Sequence, residues 1–179
     1  MTHSLQLILG GARSGKSGYA ITQGDESSFS SLHFLATASA GDEEMKQRIE
    51  RHQAERDPRW KLAEEPYYLA AALAKLDAEE KNLAVVDCAT LWISNLLCGM
   101  GGKVLTAPEI EKEFEKLIQS LKQYKGSIRI VSNEVGLGIV PDNPLARRFQ
   151  DLQGELNKSL AVIATQVIFM TAGLPRKIK

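Results

Sequence analysis

Leu5-Gln-Leu-Ile-Leu-Gly10-Gly-Ala-Arg-Ser-Gly-Lys16-Ser17 joins an apolar run of strand length to the pattern G-x4-G-K-[ST]. Two glycines, a lysine and a hydroxyl at fixed offsets are the parts of a phosphate-binding loop. The apolar run reads as a strand, and residues 16–21 read as the opening of a helix. Glycines let backbone N–H groups wrap a polyphosphate, and a helix N-terminus favours negative charge. The expected nucleotide contacts are Gly10, Gly11, Ala12, Arg13, Ser14, Gly15, Lys16 and Ser17. In such a loop the lysine reaches the outer phosphates and the hydroxyl can ligate Mg²⁺. The competing reading is a glycine-rich turn that binds nothing, and the flanking strand and helix weigh against it.

Outward from this motif the chain is ordinary. Its 179 residues predict one domain, 1–179, with room for a full α/β core. Lys+Arg and Asp+Glu stand at 22 each, so no global field draws it to nucleic acid or an anionic membrane. Cys88 and Cys98 have neither CxxC nor Cys/His metal spacing and read as buried thiols in a reducing compartment. No apolar run reaches bilayer length, and Met1-Thr-His-Ser lacks signal-peptide character. The expectation is a cytoplasmic protein without a membrane span.

Strand-like runs at 32–36, 83–86 (ending at Asp87), 128–131 and 167–170 follow the first strand. Helical patterns cover 42–55, 66–73, 91–97, 108–123 and 144–165; residues 24–31 and 99–102 read as mobile surface loops. The alternation predicts an α/β fold, a P-loop NTPase-like, mostly parallel sheet with helices on both faces. In such sheets ligands sit beyond the carboxyl ends of the strands. That rule gathers 10–17, Thr37-Ala38, Asp87 and Asn133-Glu134 along one edge.

Three side chains there or nearby carry possible chemistry. Asp87, ending an apolar strand, suits a second acidic group near the metal, or else caps the following helix. His52 shares a helical stripe with Met45, Ile49 and Arg56, so it points inward, with Arg48 beside it. Cationic neighbours favour neutral imidazole, the nucleophilic form; a hydrogen-bonded histidine at the edge of the core is the alternative. Glu134 opens Val135-Gly-Leu-Gly-Ile-Val-Pro141-Asp-Asn-Pro144, a shaped loop of the kind that grips substrates. It can accept a proton there, or pair with Arg147 or Arg148 for structure alone.

The chain resembles the bifunctional adenosylcobinamide kinase/adenosylcobinamide-phosphate guanylyltransferases of cobalamin biosynthesis over nearly its whole length. The resemblance rests on the glycine loop, on Asp42-Glu-Glu-Met45 with Arg48-Ile49 and His52, and on Trp60 with Glu64-Glu-Pro66. Further along it includes Asp87-Cys-Ala-Thr-Leu-Trp92 with Ser94-Asn-Leu-Leu97, then Ser132-Asn-Glu-Val-Gly-Leu-Gly-Ile-Val-Pro141, and Ala172-Gly-Leu-Pro175. It implies phosphorylation of adenosylcobinamide by ATP or GTP, then GMP transfer from GTP through a histidine–GMP intermediate. It also implies nucleotide contacts from Ala36, Thr37, Ala38, His52, Gln53, Ala54, Glu55, Glu64 and Asp87, and cyclic homo-oligomers, trimers among them. Such family members carry two adjacent histidines after Arg-Ile-x; Arg51 occupies the first slot here, so either His52 is the nucleophile, the favoured reading, or the transferase half is lost or altered. The expected catalytic groups are thus His52, Lys16 and Glu134, with Mg²⁺ on Ser17 and Asp87. The rival readings are a single-function P-loop kinase and a nucleotide-binding regulatory ATPase; no Asn-Lys-x-Asp guanine motif supports a GTPase switch.

Overall fold

Leu5, Leu7 and Leu9 of β1 (Ser4–Gly10) pack into one apolar cluster and Ile8 into another, so both sides of this strand are covered. The computed structural model describes residues 4–23, 26–38, 58–76, 81–99 and 103–179. Its strands are β1, β2 (Ser31–Ala36), β3 (Trp60–Glu64), β4 (Asn82–Asp87), β5 (Ser127–Val131), β6 (Gln166–Thr171) and β7 (Leu174–Lys177). They form one sheet in the order β3-β2-β4-β5-β1-β6-β7. Every neighbouring pair is parallel except β6 with β7.

The helices are α1 (Lys16–Thr22), α2 (Leu69–Lys75), α3 (Ala89–Cys98), α4 (Ala107–Gln123) and α5 (Pro144–Ile163). The last four share one cluster with Leu5, Leu7, Val86 and Ile130; Trp92 is fully buried there, its ring 5.7 Å from Phe114. On the other face Ala20 of α1 joins Ile8, Phe34, Trp60, Val85 and Ile168. The expected fold class, a mostly parallel sheet with helices on both faces, is the one observed. Local chemistry sets the helix starts. Thr106 and Glu109 form a capping box at α4, and the Asn143 carboxamide accepts from the Leu145 and Ala146 N–H groups at α5.

Two strands carried no signal. β3 leaves four of its five residues exposed and β7 all four, so neither shows the apolar run of a buried parallel strand. The helix expected from Pro66 starts at Leu69. The Glu65 carboxylate accepts from the Tyr67 and Tyr68 N–H groups at 3.0 and 2.8 Å, holding that segment as a turn. The last helix stops at Ile163 because the Thr165 N–H and hydroxyl both bond the Leu5 carbonyl on β1, at 2.8 and 2.9 Å. Within the 24–31 loop, Glu26–Ser28 form a short 3-10 turn, and Ser31 opens β2. The expected 42–55 helix lies outside the described residues.

Candidate nucleotide site

The glycine loop leaves β1 by a route that demands its residue types. Gly10 has φ 148°, and a Cβ there would drive into the Met170 carbonyl oxygen and lie 2.8 Å from Ser14 Oγ. Arg13 at φ 56° and Gly15 at φ 91° are both left-handed, a turn that aims successive N–H groups inward. Lys16 follows at the start of α1 and is buried. Its ammonium closes the loop by donating to the Gly11 carbonyl at 2.6 Å. Ser17, half-buried, is next on the helix.

The neighbouring strands end at the same edge. Ala36 is in register with Glu64 on one side and Asp87 on the other, and Asp87 with Val131. Thr37, fully buried, ties β2 to β4: its N–H donates to the Asp87 carbonyl at 3.0 Å. Its hydroxyl donates to the Cys88 carbonyl at 2.7 Å and accepts from the Cys88 N–H at 2.8 Å. Beyond β5, the Ser132 N–H reaches the Ile8 carbonyl at 2.9 Å and the Glu134 N–H reaches the Gly10 carbonyl at 3.2 Å. The four segments expected along one edge are therefore adjacent.

Electrostatics at the centre follow from this packing. Burial, and then the neighbouring Asp87 charge, push the Cys88 thiol up to about 11, with Lys16 opposing. One buried thiol thus feels the charges of both Asp87 and Lys16. It is Cys88, not Asp87, that caps α3, its Sγ accepting from the Leu91 N–H at 3.4 Å. Cys88 is buried as expected, but Cys98, in the last turn of the same helix, is exposed. Glu134 makes no ion pair with Arg147 or Arg148 among the described residues; Arg147 Nη1 donates instead to the Pro141 and Asp142 carbonyls at 2.8 and 2.7 Å.

Several supports of the site were not anticipated. Gln150, Gln153 and Asn157 line one face of α5. Gln150 donates to the Val135 carbonyl at 2.9 Å, and Gln153 to the Ser132 hydroxyl at 2.9 Å. Asn157 donates to the Asn133 carbonyl at 3.0 Å, while Thr90 Oγ1 accepts the Asn133 N–H at 2.7 Å. The i, i+3, i+7 spacing of these polar residues was a readable sign that this helix face meets polar backbone. At the far end of α1, the Arg129 guanidinium donates to the Ala20 carbonyl at 2.7 Å and also to the Gln23 carbonyl. Leu137, Ile139 and Val140 stand out from the 135–141 loop, 79%, 95% and 73% exposed.

His52, Gln53, Ala54 and Glu55, with Met45, Arg48, Ile49, Arg51 and Arg56, lie outside the described residues. Among the described residues no three His, Cys, Asp or Glu side chains converge on a point. The donors that remain, one hydroxyl on Ser17 and one carboxylate on Asp87, fit Mg²⁺, which takes few protein ligands and completes its shell with phosphates and water.

A glycine loop between a central parallel strand and a helix, closed by its lysine and flanked by an acidic strand end, defines a P-loop nucleotide-binding α/β protein. The chain belongs to the cobinamide kinase / cobinamide phosphate guanyltransferase family, whose model matches residues 6–178. It is 44% identical over 174 residues to the bifunctional adenosylcobalamin biosynthesis protein CobP of Pseudomonas aeruginosa, covering 97% of this chain and 96% of that one. It is 34% identical over 181 residues to the Escherichia coli bifunctional adenosylcobalamin biosynthesis protein CobU, and 35% over 184 residues to that of Salmonella typhimurium. Each pairing covers 97% of this chain and 98% of the relative. Among solved structures it is similar to the flagellar accessory protein FlaH from Methanocaldococcus jannaschii, with a TM-score of 0.49 and 16% identity. That likeness covers 100% of this chain and 80% of the other.

Proposed function

We propose that this chain phosphorylates the aminopropanol hydroxyl of adenosylcobinamide with ATP or GTP. It then transfers GMP from GTP onto that phosphate, giving adenosylcobinamide-GDP and pyrophosphate. The observation that carries the reading is the junction between the Glu134 N–H and the Gly10 carbonyl, 3.2 Å long. It starts the 135–141 loop, with its exposed apolar side chains, beside the phosphate loop, so a corrinoid and a triphosphate have adjoining seats. The family description and the relatives' names support the same pair of reactions.

In the first step the substrate hydroxyl attacks the γ-phosphorus, Glu134 accepts its proton, and the nucleoside diphosphate leaves. Lys16 and the loop amides offset the charge that grows on the transferred group. In the second step His52 attacks the α-phosphorus of GTP and pyrophosphate leaves. An oxygen of the substrate phosphate then displaces the imidazole. Neutral imidazole both attacks and departs well near pH 7. Ser17 and Asp87 would hold Mg²⁺, which would offset the negative charge of the phosphates. Ala36, Thr37, Ala38, Gln53, Ala54, Glu55 and Glu64 complete the nucleotide contacts. Leu137, Ile139 and Val140 offer the corrin ring an apolar surface.

The test is incubation with α-³²P-GTP and Mg²⁺, followed by denaturing electrophoresis. An acid-labile, alkali-stable label on the wild-type chain, lost in His52→Ala, supports the transferase. An unlabelled wild type that still phosphorylates cobinamide leaves a single-function kinase. The same reading assigns the chain to the cytoplasm, in keeping with two unpaired cysteines, and to a homotrimer. No described helix is long and apolar enough to cross a membrane.

A further inference from the structure

The last turn of the sheet packs against the phosphate loop. Only Ala172 and Gly173 join β6 to β7: Thr171 pairs directly with Leu174. Their φ angles of 50° and 84° are both left-handed, as a tight two-residue hairpin of type I′ requires. From this turn the Gly173 N–H donates to the Ser14 carbonyl at 3.1 Å. A Cβ on Gly15 would lie 3.4 Å from Gly173 Cα and 3.7 Å from Met170 Cε. Gly10 pairs in register with Met170, whose carbonyl leaves it no room for a side chain. Three loop positions, Gly10, Ser14 and Gly15, thus rest on this hairpin.

Core burial does not account for β7. All four of its residues are exposed, so the strand contributes little to the hydrophobic interior. What it does is close a turn whose amide meets the loop. In a planar trans peptide the carbonyl and the following N–H point in opposite directions. Holding the Ser14 carbonyl toward the hairpin therefore turns the Gly15 N–H away from it, toward the side left for an anion.

We propose that the Ala172–Gly173 turn is a positioning device for nucleotide binding, with Gly173 orienting the Ser14–Gly15 peptide without touching the nucleotide. The inference rests on the phosphate-loop reading. Substitutions at Gly173 separate orientation from simple stability. Gly173→Asn keeps a residue at ease at positive φ, whereas Gly173→Val puts a β-branched side chain where φ is strongly disfavoured. Gly173→Ala is the milder disturbance, its methyl meeting nothing within 4 Å.

The experiment measures Mg-ATP affinity by displacement of a fluorescent ATP analogue, KM and kcat for cobinamide phosphorylation, and the nucleotide-free thermal midpoint. At a temperature where the chains are folded, Gly173→Val weakens Mg-ATP binding about tenfold and raises its KM to match, with kcat within about twofold. Gly173→Ala weakens binding about threefold, and Gly173→Asn stays within about twofold of wild type. A folded Gly173→Val that binds like wild type, or a Gly173→Asn as weak as the valine variant, overturns the proposal. If the valine chain does not fold, the alanine and asparagine chains decide by the same affinities. A wild type that binds no Mg-ATP overturns the phosphate-loop reading and this inference with it; normal wild-type binding beside unaffected variants overturns the inference alone.

Discussion

Lys16 concentrates the demands of the site in one side chain. It is 7% exposed, yet its ammonium has a carbonyl partner 2.6 Å away on Gly11, so its burial is compensated before any nucleotide arrives. Removing it leaves the triphosphate without its only flexible cation from the loop's second half. Lys16→Ala should lower kcat/KM for cobinamide phosphorylation by about 10²–10³-fold, read by steady-state kinetics, with the thermal midpoint little changed. Thr37 works differently. Its hydroxyl both donates to and accepts from the Cys88 backbone, so one small side chain fixes where β4 delivers Asp87. Nothing in the local sequence around Thr37 distinguishes it from any other threonine at a strand end.

The helices show how an element is held by both of its ends. α1 starts in the glycine loop, and its carbonyl end meets Arg129, a residue 106 positions away from Gln23 on β5. Burial is the main influence on that guanidinium and lowers its proton affinity, while nearby Glu26 opposes the effect. A cation bonded to the last carbonyls of a helix complements its dipole. Arg129→Met keeps the apolar stem and should destabilise the chain by about 1–3 kcal/mol, measured by urea denaturation. At the start of α4 the Lys103 ammonium, then the Thr106 N–H and hydroxyl, hold Glu109 down at about 2 from an ordinary 4.5. A depressed carboxylate stabilises the fold most above its unfolded pKa. That contribution fades as pH falls from about 4.5 toward about 2. Glu109→Gln should therefore flatten this part of the acid unfolding profile followed by circular dichroism, and change little at pH 8.

For the molecule as a whole, exposed apolar groups remain after the core is built. Leu137, Ile139 and Val140 on the 135–141 loop, and Val162, Leu174 and Ile178 near the C-terminal strand, all stay in solvent in the single chain. A homotrimer should elute with about three times the mass of one chain in light scattering after size exclusion, unchanged by nucleotide; a monomeric mass removes the trimer. The sheet-edge site was legible in the sequence because its signals are local. Gly10, Gly15, Lys16 and Ser17 announce a phosphate loop by spacing alone. The apolar runs before Asp87 and before Ser132 announce buried strands whose carboxyl ends must lie beside it. β3 and β7 were not legible, since an edge strand with exposed residues has no pattern to show. Nor was the polar stripe of α5 under Asn133 and Val135, although its helical spacing was there to be found. By itself, then, the chain's order of residues determined its fold class and the gathering of the glycine loop, Thr37, Asp87 and Glu134 along one sheet edge. Only the tertiary structure decided what holds that site in place: Thr37 on Cys88, Arg129 on α1, and Gly173 on Ser14. Each of those bonds ends on a backbone group far away in sequence, and a backbone group carries no residue identity from which its partner can be read.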